Sequence, residues 1–221
     1  MVKELKFIQS LHRSSKRDYL ARMKNKKVNC MTIAQKFGRD YWDGNRKFGY
    51  GGYKYIKGRW KLVAKNLIKK YRLNNDSRIL DIGCGKGYLL LEIKKILPDI
   101  KVFGIDISHY AKNHAHNEIK KYIKVLDVSK KIDYKKNYFD LVISINTLHN
   151  FEIKKLKKAL NEISRISKKS YLVVESYRNN EELFNLQCWA LTCKSFFSKN
   201  EWRWIFKEFN YKGDYEFIYF K

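Results

Sequence analysis

The 221-residue sequence contains a single proline, Pro98, and no stretch dense in proline and serine. That argues against two domains on a loose tether and for one unit of moderate size, with at most an appendage. Apolar residues never run to the ~18 positions a membrane-crossing helix needs. The opening residues, MVKELKFIQSLHRSSKR, lack the apolar centre of a secretory signal, so a cytoplasmic protein without a membrane span is expected. Cysteine is sparse. Cys30, Cys84, Cys188 and Cys193 form no C-x-x-C pair and do not cluster with histidine, which favours reduced thiols over a disulfide frame or a zinc site.

Acidic residues are few as well. There are 22 of them against 48 lysines and arginines, a formal net charge of +26. Three readings stand: a nucleic-acid binder, a solvated lysine-rich surface, or a field that attracts a small anion such as a nucleotide-linked sugar. The lysines are spread over most helical segments rather than gathered in one, which weighs against a dedicated nucleic-acid patch. Apolar residues make up 44% of the chain, enough for a sizeable core.

The chain is organised around residues 78–91, RILDIGCGKGYLLL. An Ile- and Leu-rich run reads as a buried strand, Gly83, Gly85 and Gly87 turn the chain, and leucines resume at helical spacing. Strand, glycine turn and helix open a nucleotide-binding βαβ unit. Glycines let the backbone turn tightly and approach a ligand, and the helix start offers unpaired N–H groups. The pattern is D-x-G-x-G-x-G. Asp81 at the strand end suits a cationic ligand better than a pyrophosphate. The next strand, 101–106, ends in Asp106, placed to bind two ribose hydroxyls.

Four segments together resemble the class I S-adenosylmethionine-dependent methyltransferases, over roughly residues 60–176. LDIGCGKG resembles that family's first motif and FGIDIS its second. VLDVS, 125–129, resembles the end of its third strand, and FDLVISINTLHNF, 139–151, its fourth. The resemblance implies an α/β, Rossmann-like fold with a mostly parallel central sheet flanked by helices. It implies an enzyme using S-adenosyl-L-methionine and needing no metal. Asp81, Gly83, Cys84, Gly85, Asp106, Ile107, Asp127, Val128 and Asn146 are the implied cofactor contacts. Similar bacterial proteins serve surface-sugar biosynthesis, so the resemblance further implies a sugar or nucleotide-linked sugar as methyl acceptor, through O or N.

Residues 39–60, RDYWDGNRKFGYGGYKYIKGRW, mix five glycines with tyrosines and tryptophans. Such a segment is too glycine-rich for a helix and too aromatic for a flexible linker. Glycine hinges carrying aromatic faces suit a lid that excludes water, and aromatic faces favour a sulfonium cation. The alternative is a loop packed on the sheet edge. As a lid, it offers Tyr50, Tyr53 and Arg59 to the cofactor's methionine end and Asp43 and Arg46 to the substrate. Residues 1–59 are accordingly expected to be a helical cap and lid, and 60–221 the methyltransferase domain, with a helical insertion near 180–197.

Leu5, Ile8 and Leu11 suggest a covering helix within the basic segment 1–27, and a further helix spans 32–37. A continuous helix runs over 108–121, its histidines His109, His114 and His116 facing solvent. The fourth strand delivers Asn146, Thr147, His149 and Asn150 to the carboxyl end of the sheet, where ligands bind in open α/β folds. His149 and Asp43 are the candidate general bases, and Arg46, Asn150 and Arg178 the candidate substrate contacts. The alternative readings are an RNA methyltransferase and a protein that binds S-adenosylmethionine without catalysis. NTLHN, which lacks the N/D-P-P-Y pattern, and the absence of a cysteine at a strand end count against the first.

Overall fold

The buried run Arg78–Ile82 forms strand β1 at the centre of the molecule. The computed structural model describes residues 2–13, 17–51 and 53–221. Residues 1, 14–16 and 52, which belong to the expected cap and lid, lie outside the described residues. Strands β2 (Lys101–Asp106), β3 (Ile123–Val125), β4 (Leu141–Ile145), β5 (Ser170–Glu175) and β6 (Asp214–Ile218) complete one sheet in the order β3-β2-β1-β4-β5-β6. Every pairing is parallel. Strands covered on both faces read as continuous apolar runs, and β5 is buried at all six positions.

Four short helices precede the sheet: α1 (Gln9–Arg13), α2 (Tyr19–Lys24), α3 (Lys27–Ala34) and α4 (Arg39–Trp42). Helix α5 (Lys61–Tyr71) leads into β1 and α6 (Tyr88–Ile96) leaves it. Both bury one apolar face, Val63, Ala64 and Leu67 on α5 and Leu89, Leu90 and Ile93 on α6, in the same core. Helix α9 (Ile153–Ile166) covers the other face with Leu156, Leu160 and Ile163, and leaves its lysines outside. The sheet thus separates two apolar layers.

Several boundaries differ from the sequence reading. The segment 108–121 breaks into α7 (His109–Asn113) and α8 (Asn117–Lys120), because His116 leaves the helical region with a ψ of 136°. The break lets Ile119 pack against Gly87, where an added Cβ would fall 2.5 Å from its side chain. Helix α3 lies earlier than expected, at Lys27–Ala34, and Phe37 has a left-handed backbone. Helix α10 (Asn180–Trp189) stops short of 197. The amides of Leu191 and Thr192 donate to the Tyr50 hydroxyl, and Lys27 Nζ takes up the Cys188 and Ala190 carbonyls at 2.7 and 2.5 Å. Helix α11 (Lys199–Glu208) starts with the expected capping box of Ser198 and Glu201.

The N-terminal residues are strand-like before they are helical. Leu5 N–H donates to the Tyr215 carbonyl and Tyr215 N–H to the Lys3 carbonyl, which extends the edge at β6. The buried Glu216 carboxylate then accepts from the amides of Phe7, Ile8 and Gln9 and from the Tyr171 hydroxyl. This contact anchors the segment that becomes one wall of the cavity described next.

Candidate active site

A cavity of about 610 Å³ opens at the carboxyl ends of β1, β2, β4 and β5. Its floor is the glycine turn. Gly83, Gly85 and Gly87 all have positive φ, between 54° and 75°. A Cβ on Gly83 would lie 1.9 Å from Thr147 Oγ1, and one on Gly85 would lie 2.8 Å from the Trp42 ring. Both positions therefore need glycine for conformation and for space.

Two carboxylates flank the turn. Asp106 accepts from Gly85 N–H through one oxygen and from Ser108 N–H through the other, each at 2.8 Å. It therefore fixes the glycine turn itself, a role the sequence did not indicate. Asp81 is buried, and its carboxylate has no hydrogen-bond partner among the described residues. Burial, with the Asp106 charge beside it, pushes Asp81 up to about 8. An unpaired buried carboxyl of this kind is suited to a ligand cation.

The expected lid residues form the roof. Trp42 lies over Gly85 and donates its indole N–H to Ser108 Oγ and the Phe37 carbonyl. Tyr53 packs on Trp42 with centroids 4.6 Å apart and on Tyr41 at 5.3 Å. Asp43 pairs with the buried Lys86 of the glycine turn at 2.7 Å and accepts from the Tyr110 hydroxyl. Tyr50 lines the cavity, but its hydroxyl is taken up by Leu191, Thr192 and the Thr192 side chain. Arg59 and Arg46 also line the cavity. Arg46 lies 5.6 Å from the Trp189 ring centroid.

At the rim, Ile107 is half exposed, and Asp127 and Val128 follow β3. Asp127 accepts from Ser129 N–H. Asn146, at the end of β4, has a left-handed backbone and donates its N–H to the Val173 carbonyl. Asn150 reaches the cavity wall with a buried Oδ1 that has no partner among the described residues. Thus the cavity brings together the implied cofactor residues and all but one of the expected substrate residues.

Arg178 is the exception. Its guanidinium is held by Glu182 one turn along the chain, lies 4.3 Å from the Tyr219 ring centroid, and does not line the cavity. The two candidate bases, His149 and Asp43, each have partners in the structure. His149 is buried and pushed down to about 3 by that burial, so its imidazole is neutral near pH 7. Its Nδ1 accepts from the Glu175 N–H at 3.3 Å, which leaves the proton on Nε2. Burial pushes Asp43 up, but hydrogen bonds from Lys86 and Tyr110 and the Lys86 charge outweigh this and hold it below the ordinary carboxylate value. Neither group is poised to take a proton.

The cavity also contains residues the sequence reading did not select. His12 and Arg17 arrive from the N-terminal segment, Trp189 and Thr192 from the end of α10 and beyond, and Glu175 from the end of β5. Glu175 is 7% exposed, and its Oε2 has no hydrogen-bond partner among the described residues. Burial pushes its carboxyl up to about 7, against the lowering influence of Arg17. Its position after an apolar strand, at the sheet's ligand end, was the available signal. The contribution of the N-terminal segment had no local signal, because it depends on pairing with β6.

Comparison with known proteins agrees with this architecture. The family model described as "Methyltransferase domain" matches residues 54–216. The mitochondrial arginine-hydroxylase NDUFAF5 of Mus musculus is 32% identical over 110 residues, covering 49% of this chain. The match covers 31% of that protein, so the chain spans about a third of its length. The ribosomal protein L11 methyltransferase of Thermosipho melanesiensis is 33% identical over 119 residues, 52% of this chain and 42% of that one. Among solved structures, a SAM dependent methyltransferase from Aquifex aeolicus superposes with a TM-score of 0.50 at 22% identity, over 70% of this chain and 82% of that one. The last similarity is one of fold.

Proposed function

The chain belongs to the methyltransferase-domain family, and from that premise we propose that it transfers a methyl group from S-adenosylmethionine to O or N of a small molecule. One observation carries the cofactor half of this reading. The buried Asp81 carboxyl, without a partner among the described residues, faces a turn whose three glycines leave no room for a Cβ. A ligand ammonium at Asp81 fits that arrangement, and the aromatic wall of Trp42 and Tyr53 beside Gly85 fits a sulfonium.

When bound, S-adenosylmethionine supplies an electrophilic methyl. The residues of this chain supply position. Asp81 holds the cationic end, Asp106 shapes the glycine turn and offers its remaining lone pairs to ribose hydroxyls, and Ile107, Asp127 and Val128 form the rim for the base. Trp42, Tyr53 and the Asp43–Lys86 pair close the roof against water. Alignment of this kind lowers a displacement barrier by roughly 7–11 kcal/mol.

The acceptor side supports an enclosed small molecule over a polymer. The chain around α1 and the chain beyond α10 wall the cavity, and Arg17, Arg46 and Lys155 bring positive charge to a lining that also carries Asp127, Glu152 and Glu175. A sugar or nucleotide-linked sugar suits that lining, its hydroxyls meeting the carboxylates and any negative charge the arginines. RNA is the second reading, favoured by the net charge of +26.

The test is methyl-labelled S-adenosylmethionine added to an extract of the source cells, then separated into small molecules, protein and RNA. Label among the small molecules is the expected result. Label in RNA or in protein would replace the acceptor class. Cofactor affinity without transfer would leave a binding protein, and no affinity would overturn the reading.

A further inference from the structure

The Glu175 carboxyl is buried in the cavity wall, and no part of the binding scheme employs it. This inference rests on the methyl-transfer reading and deepens it. We propose that Glu175 is the proton acceptor of the reaction, and that the methyl acceptor is therefore a hydroxyl or a protonated nitrogen.

The geometry isolates Glu175 for this task. It stands at the carboxyl end of β5, beside β4 and the 3-10 turn Leu148–Asn150 that follows β4. Four groups face it from four directions. His149 presents Nε2 at 3.4 Å from Oε2 without forming a hydrogen bond, and Arg17, Tyr50 and Cys193 act on it from the N-terminal segment, the lid and the chain beyond α10. Three of these do not compete as bases. His149 is neutral with its proton on the nitrogen nearer Glu175, the Tyr50 hydroxyl is engaged and raised above its ordinary value, and burial raises the Cys193 thiol as well. Arg17 keeps its proton. Its charge opposite Glu175 gives the ionised carboxylate a counter-charge.

The other carboxylates in and beside the cavity are committed or exposed. Asp106 holds the amides of Gly85 and Ser108, Asp127 accepts from the Ser129 amide, Glu152 is exposed and pairs with Lys194, Asp43 pairs with Lys86 at the roof, and Asp81 sits at the glycine turn. Glu175 alone combines burial, an oxygen without a hydrogen-bond partner among the described residues, and a place away from the glycine turn. Its value of about 7 matches a base that works near neutral pH.

The chemistry narrows the substrate. The acceptor lone pair forms the new bond to the methyl carbon while the carbon–sulfur bond breaks and its pair stays on sulfur. A hydroxyl gives its proton to Glu175 as the new bond forms, a protonated nitrogen gives it up beforehand to free the lone pair, and the proton then passes to solvent. A carboxylate acceptor carries no proton to lose and is repelled by Glu175, so it is excluded. A thioether is excluded because it needs no base.

The experiment compares the wild type with E175Q and E175D on the full chain. S-adenosylhomocysteine affinity, measured by calorimetry, should stay within about threefold in both variants. Label transfer from S-adenosylmethionine in cell extract should fall at least ~100-fold in E175Q and partly recover in E175D, the usual scale for loss of a general base. The wild-type rate should rise with pH through about 7 and level off, and E175Q should lack that limb. Carboxyl ¹³C NMR should show one glutamate titrating near 7 that is missing from E175Q. No such resonance, or an E175Q variant that transfers label at the wild-type rate, overturns the proposal. Failure of the wild type to bind S-adenosylhomocysteine overturns the methyl-transfer reading instead, so the two failures are separable.

Discussion

Lys86 Nζ lies 2.7 Å from Asp43 Oδ1, and this pair joins the glycine turn to the N-terminal segment that roofs the cavity. Lys86 is almost fully buried, so removing Asp43 strands an ammonium without its counter-charge. Asp43→Ala should cost about 1–3 kcal/mol, the penalty for an unsatisfied buried group. The double variant Asp43→Ala with Lys86→Met should recover part of it. Chemical denaturation of the two singles and the double measures the coupling. Asp43 is depressed in the folded state, so its contribution is present at neutral pH and fades as pH falls below the ordinary carboxylate range.

Asp81 has the opposite sign. Its folded carboxyl is raised to about 8, so the stability of the ligand-free protein should decline as pH rises from about 4 toward 8. Binding a ligand cation needs the ionised form. Below pH 8, S-adenosylhomocysteine binding should therefore release a proton, detectable as a buffer-dependent calorimetric enthalpy. Asp81→Asn should remove that buffer dependence and flatten the stability profile. Equal enthalpies in two buffers for the wild type would refute the assignment.

The glycine turn, β1, β2 and β4 were legible because local residues dictate them. Alternating glycines between an apolar strand and a leucine-rich helix admit few conformations, and the family resemblance rested on the same segments. What the turn needs to stay in place was not legible. The sequence presents Asp106 as a ribose ligand, yet its two oxygens are already engaged, one by the amide of Ser108 at the cap of α7 and one by the Gly85 amide of the turn after the neighbouring strand β1. The helix expected at 180–197 ends at Trp189 for a related reason. The chain beyond it is drawn off by Tyr50 and Lys27, which lie far away in sequence, and no local periodicity reports such a competitor.

Asp106→Asn tests the double role. The amide retains one acceptor oxygen, so either Gly85 or Ser108 loses its partner. Stability should fall by about 1–3 kcal/mol, and S-adenosylhomocysteine affinity should fall with it. Gly83→Ala attacks the same turn sterically, with its Cβ 1.9 Å from Thr147 Oγ1. The left-handed conformation alone adds about 1–2 kcal/mol for a residue with a Cβ. Thermal unfolding and calorimetry on both variants check these outcomes.

Arg22 fastens the lid to the end of α10. Its guanidinium donates to the carbonyls of Trp189, Arg46 and Gly49 and lies 4.3 Å from the Trp189 ring centroid. A lysine cannot reproduce three bonds from one planar fork. Arg22→Lys should therefore loosen residues 46–51 selectively. Hydrogen exchange should show faster exchange there, with β1 and β4 unchanged. Uniform protection in the variant would mean that the aromatic packing holds the lid without Arg22.

Glu216 tests whether the N-terminal segment belongs to the acceptor site. Its carboxylate gathers the amides of Phe7, Ile8 and Gln9 from beneath the sheet edge, and those residues lead directly to the cavity positions Leu11, His12 and Arg17. Glu216→Gln keeps the shape but removes the charge and replaces one acceptor oxygen by an amide NH2, itself a donor, that faces N–H donors. Each lost charge-assisted bond is worth about 1.5–3 kcal/mol, enough to shift the segment from docked to mostly undocked. Limited proteolysis should then cut the variant ahead of α2 and spare the wild type. S-adenosylhomocysteine should bind both proteins alike, because the glycine turn lies on β1, separated from β6 by β4 and β5. The Michaelis constant for the acceptor should rise. A variant that becomes protease-sensitive while keeping its acceptor affinity would place the N-terminal segment outside the acceptor site and confine it to covering the sheet edge.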